Sequence, residues 1–169
     1  NPDFFIAHAD LNSISALPAE PPPRQETLGW INQTFDRLRT MPKVTIAKIE
    51  GRARGGGSEL ALACDMRFGA LGKAVFAQPE VGIGIIPGAG GTVRLPRLIG
   101  QARALEIILG CGDISAEEAE RYGYINRALP ADEIGAFVDE LAYRIASYPA
   151  DALARAKSSV SFEGSVEDA

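Results

Sequence analysis

The chain has few of the side chains that bind metals or form disulfides. Its 169 residues include one histidine, His8, and two cysteines, Cys64 and Cys111, which lie far apart in the sequence. None of them has the spacing of a metal ligand set, so no zinc site can be assembled from them. Two separate thiols favour a reducing compartment, and we expect a cytoplasmic protein.

Long apolar runs and an excess of positive charge are also missing. No run approaches the roughly 20 apolar residues that a membrane-spanning helix needs. The formal net charge is −5 and the arginines are scattered, so the chain has no basic patch for nucleic acid. We therefore expect neither a membrane nor a nucleic acid as partner. The hydrophobic content of 46% is that of an ordinary globular domain.

Two common nucleotide-binding motifs are absent as well. The chain contains no G-x-x-x-x-G-K-[ST] sequence, which excludes a P-loop. Gly82-Ile83-Gly84 is followed three residues later by Pro87 instead of glycine, so the dinucleotide-binding fingerprint also fails. The glycines of this chain therefore need another explanation.

The two ends of the sequence suggest a piece of a longer protein. The chain starts at Asn1 without methionine and ends at Ala169 in an acidic stretch with no clear closing element. We expect a fragment from which any targeting segment has been lost.

Strand and helix patterns alternate along the chain, which favours an α/β fold. Apolar residues at steps of three and four predict helices, and Ser115 with Glu118 forms a capping box before one of them. Gly51 to Gly55 is interpreted as a turn. The predicted strands are 4–7, 44–49, 65–68 and 74–77, and the predicted helices are 25–40, 56–64, 92–99, 101–109, 116–122, 132–148 and 150–160.

The most informative motif is the glycine triplet Gly55-Gly56-Gly57, which opens an apolar helix. Bare backbone N–H groups at the positive end of a helix dipole stabilise an oxygen on which negative charge develops. The triplet is better suited to a carbonyl oxygen than to a pyrophosphate. The alternative is a tight strand-to-helix turn that simply needs small residues.

Two glutamates accompany the triplet. Glu59 lies about one helical turn after Gly56, and Glu80 follows Pro79, whose fixed φ restricts how the carboxylate is presented. Together they are candidates for moving protons beside the same oxygen, as an enolate-forming enzyme requires. Taken singly, Glu59 is also typical of a solvent-facing first-turn acid, and Glu80 of an exposed turn.

These motifs and their order resemble the crotonase superfamily, which includes enoyl-CoA hydratase. Their spacing together is highly specific, although each is modest alone. The matching segments are Phe5-Ile6-Ala7-His8-Ala9-Asp10-Leu11, Gly51, Gly55-Gly56-Gly57-Ser58-Glu59-Leu60-Ala61, Cys64-Asp65, Phe76-Ala77-Gln78-Pro79-Glu80, Ile86-Pro87-Gly88-Ala89-Gly90-Gly91-Thr92 and Ile114-Ser115-Ala116-Glu117-Glu118-Ala119.

The resemblance implies the α/β crotonase-like (ClpP/crotonase) spiral of ββα units. Compared with the family, the chain is expected to lack the first strands and the C-terminal helices. Residues 1–149 would form a partial spiral core, and residues 150–169 would begin the C-terminal helical oligomerisation region. A homotrimer or homohexamer is implied.

The resemblance also implies a CoA thioester substrate and assigns roles to residues. The backbone N–H groups of Ala7 and Gly56 would form the oxyanion hole, and Glu59 and Glu80 would be the catalytic acids. The remaining implied substrate-binding residues are His8, Ala9, Asp10, Leu11, Gly55, Pro79 and Gly88. No metal and no separate cofactor is expected, because CoA is part of the substrate.

Three functions remain open on the sequence. Retention of both glutamates favours a hydratase that adds water to 2-enoyl-CoA, and an enoyl-CoA isomerase or another enolate-forming reaction is the alternative within the superfamily. A non-catalytic acyl-CoA-binding paralogue is the alternative of another class. His8 stands where the family commonly has glycine. It is interpreted as a turn residue at the pocket rim, with narrowing of the CoA channel or an acid–base role as alternatives.

Overall fold

The computed structural model describes residues 3–6 and 29–161 of the chain. It contains seven strands and seven α-helices in these residues, in a mixed α/β order. The strands are β1 (Phe4–Ile6), β2 (Ile46–Ile49), β3 (Arg52–Arg54), β4 (Met66–Ala70), β5 (Val75–Ala77), β6 (Ile114–Ser115) and β7 (Arg127–Leu129). The helices are α1 (Trp30–Thr40), α2 (Gly56–Ala63), α3 (Gly91–Ile99), α4 (Gln101–Gly110), α5 (Ala116–Tyr122), α6 (Ile134–Ala146) and α7 (Ala150–Ser161), and a 3-10 helix spans Glu80–Ile83.

From β1 to β5, consecutive strands alternate between two sheets. One sheet has the order β1-β3-β5-β6 and the other the order β2-β4-β7. All pairings are parallel except the one between β5 and β6. The pairs β2-β3 and β4-β5 each add one strand to each sheet before a helix follows, as in the predicted spiral of ββα units.

Most predicted elements are present with shifted ends. The capping box is confirmed: Ser115 accepts from the backbone N–H of Glu118, and the Glu118 side chain accepts in return. Gly123 ends that helix with φ at +82°, which glycine adopts readily. Helix α1 is described from Trp30, and the first residues of the predicted helix 25–40 lie outside the described part of the chain.

The prediction of a turn over 51–55 was wrong, because β3 occupies its centre. This three-residue strand pairs with β1 on one side and with β5 on the other. Ala53 is fully buried while Arg52 is exposed. Strands β6 and β7 were also missed. With two and three residues, they are too short for an alternating pattern to identify.

The main hydrophobic core lies between the sheets and the helices that follow them. Its largest fully buried side chains include Phe76, Tyr124, Ile49 and Leu95. A second hydrophobic cluster forms where α6 covers β4. In it the rings of Phe68 and Phe137 pack edge to face, with their centroids 5.3 Å apart. Every helix within the described ranges is too short or too polar to cross a bilayer.

A half-buried ion pair fixes α7 to the rest of the fold. The Lys157 ammonium lies 2.9 Å from Asp65 Oδ2 and donates to the carbonyls of Leu38 and Lys43. Asp65 Oδ2 also accepts from the backbone N–H and the hydroxyl of Thr45. One cation therefore joins the end of α1, the segment before β2 and the residue before β4.

We predict that Lys157→Met destabilises the fold. The variant leaves the Asp65 carboxylate without its cation and two carbonyls without their donor, at a cost of about 1.5–3 kcal/mol. The free energy of unfolding, measured by urea denaturation, provides the test. Lys73→Met, at an exposed position, is the control, and equal midpoints for the two variants would contradict the prediction.

Candidate active site

Two glycines at the start of α2, Gly55 and Gly57, are each required by the local structure. Gly55, just before the helix, has φ +51° and ψ −124°, a conformation that side chains strongly disfavour. A methyl group on Gly57 would overlap the carbonyl of Ile6, so β1 ends against this turn. Gly56 is the first helical residue, and N–H groups in a first turn lack acceptors within their own helix. The turn is therefore suited to binding an oxygen that gains negative charge.

The other half of the predicted oxyanion hole follows β1. Ala7, predicted as the second donor, and the predicted substrate-binding residues His8, Ala9, Asp10 and Leu11 lie outside the described residues. The contact between Ile6 and Gly57 brings the end of β1 to the start of α2. Convergence of the two backbone N–H groups stays a prediction.

Glu59 is buried and binds the loop before α3. Its side chain is 4% exposed, so the alternative of a solvent-facing acid does not hold. Its Oε1 accepts from the backbone N–H of Ala89 at 2.8 Å and from that of Gly91 at 2.9 Å. Gly91 is the first residue of α3, so the carboxylate caps this helix from a distant part of the chain.

The loop that Glu59 binds is also held from its other side. Asn32 on α1 donates its amide to the Gly88 carbonyl at 3.1 Å, and Arg94 donates to the Ala89 carbonyl at 2.8 Å. The Gly88 carbonyl and the Ala89 N–H belong to one peptide unit. Asn32 and Glu59 therefore hold that unit between them, which orients the predicted pocket residue Gly88.

Sequence reasoning missed the contacts of Glu59 with Ala89 and Gly91. The available signal was the pair Gly90-Gly91 at the start of a helix, because such a start offers unpaired N–H groups to a carboxylate. Nothing in the spacing indicated that the carboxylate would come from α2. The contribution of Asn32 carried no sequence signal at all.

Glu80 lies over the same glycine segment. It starts the 3-10 helix after Pro79, and it is 8% exposed instead of lying in an open turn. A methyl group on Gly55 would lie 3.0 Å from Glu80 Oε1, so the carboxylate faces the residue before α2. The fold therefore brings both candidate acids to the N-terminal end of one helix.

Burial raises the pKa of both carboxyl groups, but their surroundings differ. For Glu59 the N–H groups of Gly91 and Ala89 and the charge of Arg94 oppose the raised pKa. For Glu80 burial is again the largest cause of the raised pKa; its own backbone N–H opposes the rise, and the negative charge of Glu59 adds to it. Two close carboxyl groups disfavour double ionisation, and more groups that favour the ionised form surround Glu59 than Glu80.

Residues that could hold a metal are not grouped in this site. Within residues 3–6 and 29–161, no three His, Cys, Asp or Glu side chains lie close enough to share an ion.

The fold and its paired acids define a crotonase-like protein, and solved structures agree. An enoyl-CoA hydratase from Bacillus anthracis superposes with a TM-score of 0.85 at 39% identity, over 95% of this chain and 61% of that one. An enoyl-CoA hydratase from Thermoplasma volcanium also superposes with a TM-score of 0.85, at 31% identity over 98% of this chain and 65% of that one.

The family model described as enoyl-CoA hydratase/isomerase matches residues 1–167, and the chain belongs to this family. It is 40% identical to the short-chain-enoyl-CoA hydratase of Clostridium acetobutylicum and 41% identical to the crotonyl-CoA hydratase of Syntrophomonas wolfei. Each match covers 85% of this chain and 54% of the relative. The chain thus spans about half the length of these relatives.

We predict that Gly91→Ala disturbs the contact between Glu59 and the loop. The added methyl would lie 2.9 Å from the Pro87 side chain and 3.1 Å from Glu59 Oε1, which should cost about 1–3 kcal/mol of unfolding free energy. Gly110→Ala, a helical glycine with nothing within 4 Å of the added methyl, is the matched control. Urea denaturation measures both variants, and equal effects would refute the prediction.

The raised pKa of Glu80 makes the stability of the fold depend on pH. Because burial raises the pKa of Glu80 above 4.5, the folded chain keeps a proton that the unfolded chain releases. The free energy of unfolding therefore falls as pH rises from about 4.5 through the folded pKa. A glutamine cannot release this proton, so we predict that the free energy of unfolding of Glu80→Gln, relative to that of the wild type, increases from about pH 4.5 through the folded pKa. Urea denaturation from about pH 4 to 8 measures it, and a pH-independent difference would contradict it.

Proposed function

We propose that the complete protein adds water across the 2,3 double bond of 2-enoyl-CoA thioesters. The observation that carries the proposal is the pair of buried carboxylates, Glu59 and Glu80, at the glycine-rich start of α2. Relatives named short-chain-enoyl-CoA hydratase and crotonyl-CoA hydratase support the same substrate class.

In the proposed reaction the N–H groups of Gly56 and Ala7 bind the thioester oxygen. Electron density drawn onto this oxygen makes C3 electrophilic, and Glu59 takes a proton from the water that attacks C3. The π electrons move onto the thioester oxygen as an enolate, which the donors stabilise. The enolate then collapses, C2 takes the proton of Glu80, and a proton returns from Glu59 to Glu80 before the next turnover.

The electrostatics support this division of roles. A general base must be ionised at the start of the reaction and a general acid must be protonated. Glu59 has two backbone donors and Arg94 to stabilise its charge, whereas Glu80 has the charge of Glu59 against it. This chemistry uses only proton transfers and an oxyanion site, so the proposal includes no metal and no cofactor apart from the CoA of the substrate.

Assembly and location are part of the same proposal. Exposed apolar side chains such as Ile86, Leu109 and Val160 support burial against further copies in a trimer or hexamer. Both cysteines are free thiols, which supports a cytoplasmic protein.

Incubation of the full-length protein with a panel of enoyl-CoA esters in ¹⁸O-labelled water tests the proposed reaction. A hydratase yields 3-hydroxyacyl-CoA that carries the label at C3. A shifted double bond without label would identify an isomerase instead. Binding of acyl-CoA without any turnover would identify a non-catalytic binding protein.

We predict that Glu80→Gln lowers kcat by about 10²- to 10⁴-fold, because it removes the proton donor for C2. The Kd for a saturated acyl-CoA should stay close to that of the wild type, since the oxyanion donors and the fold are retained. A steady-state hydration assay measures kcat, and calorimetric titration measures the Kd. Glu106→Gln, an exposed acid on α4, is the control, and a Glu80→Gln variant as active as this control would exclude Glu80 from the mechanism.

A further inference from the structure

A buried hydrogen-bond chain leads from Tyr124 to Glu80. Tyr124, Ser58 and Gln78 are each fully buried, and they come from the turn after α5, from α2 and from the segment after β5. The hydroxyls of Tyr124 and Ser58 are hydrogen-bonded, and Ser58 Oγ lies 2.8 Å from one end of the Gln78 amide. The other end of the amide lies 3.1 Å from Glu80 Oε2 and 3.3 Å from Oε1.

The Gln78 amide has two possible directions, and the hydroxyls distinguish them. With its oxygen toward Glu80, the amide donates to Ser58. Ser58 then either donates to Tyr124 or accepts from it as well, so one of the two hydroxyl protons has no acceptor in this chain. With its NH₂ group toward Glu80, Tyr124 donates to Ser58, Ser58 donates to the amide oxygen, and the amide donates to Glu80. The second direction gives both hydroxyl protons an acceptor and turns an N–H toward Glu80, so it is the favoured one.

The far end of this chain is firmly anchored. Arg67 donates to the Tyr124 carbonyl at 2.9 Å, and the Tyr124 ring packs on Phe76 with centroids 5.1 Å apart. Burial raises the pKa of Tyr124 to about 12, so its hydroxyl keeps its proton at physiological pH. Tyr124 therefore always has a proton that it can donate to Ser58.

We propose that Ser58 and Tyr124 are positioning residues that fix the NH₂ group of Gln78 toward Glu80. The acid proton cannot lie between this N–H and the carboxyl oxygens that it contacts, so the proton of Glu80 is directed away from Gln78. The same N–H stabilises the carboxylate once the proton has left. The catalytic consequence rests on the function proposed above, whereas the direction of the amide does not.

The charged surroundings of Glu80 allow this contribution to be measured. Glu59 on α2 faces it with a negative charge, Arg94 on α3 acts on Glu59, and Tyr124 is neutral. Ser58→Ala and Tyr124→Phe change none of these charges. A changed pKa of Glu80 in either variant therefore reports on the hydrogen-bond chain.

The test is a ¹³C NMR titration of the full-length protein with labelled glutamate, in which loss of one signal in Glu80→Gln assigns Glu80. Ser58→Ala should raise the pKa of Glu80 by about one pH unit, because the released amide no longer points its N–H at the carboxylate. Gln78→Met has no amide donor at all, so its Glu80 pKa gives the largest shift that loss of this hydrogen bond can cause. Tyr124→Phe should raise the pKa of Glu80 by a smaller amount. It replaces Ser58→Ala in the test if Ser58→Ala does not fold.

Thr45→Val is the matched control, because it deletes a partly buried hydroxyl in the Asp65 cluster and should leave the Glu80 titration unchanged. The proposal is overturned if the pKa of Glu80 stays at its wild-type value in Ser58→Ala and Tyr124→Phe, or in Gln78→Met. If the wild type hydrates enoyl-CoA, Ser58→Ala should also lower kcat about tenfold at unchanged KM and move the pH profile of kcat upward. A shifted titration in a protein that hydrates no enoyl-CoA would refute the proposed function and retain the positioning role.

Discussion

The capture of one carboxylate oxygen by two backbone N–H groups organises the whole site. Glu59 belongs to α2, while Ala89 and Gly91 belong to the loop and first turn of α3. This contact joins the two glycine-rich segments of the chain and places a negative charge beside Glu80. It also gives two identical side chains different surroundings: two backbone donors for Glu59, and the charge of Glu59 for Glu80. Both the shape of the site and its acid–base asymmetry depend on it.

Much of the fold was predictable because its signals are local. Apolar periodicity located the helices, and the capping box with Gly123 defined both ends of α5. The missed strands β3, β6 and β7 have two or three residues each, and they exist because neighbouring strands supply hydrogen-bond partners. Pairing between distant segments is a tertiary property, which no window of a few residues contains. The alternation of strands between two sheets was therefore accessible only through the family resemblance.

In the site, the sequence predicted which residues have the potential for chemistry, but not which residues hold them in place. Glycines at a helix start indicated an oxygen-binding turn, and the structure places the acids Glu59 and Glu80 beside it. The sequence did not predict that Glu59 caps α3, nor that Asn32 holds Gly88. Those contacts join residues far apart in the chain, and ordinary residue types make them. Gln78 and Tyr124 carried no sign of polar function, because buried polar groups are recognised by their partners and not by their spacing.

The close passage of Ile6 over Gly57 links the site to the order in which the chain assembles. Strand β1 pairs with β3, whose residues come more than forty positions later in the sequence. Such a pairing closes a long loop and is slow compared with the formation of α2 itself. We therefore expect the strand to reach the helix start late in folding. The glycine turn therefore gains its backbone neighbour Ile6 only after this long loop has closed.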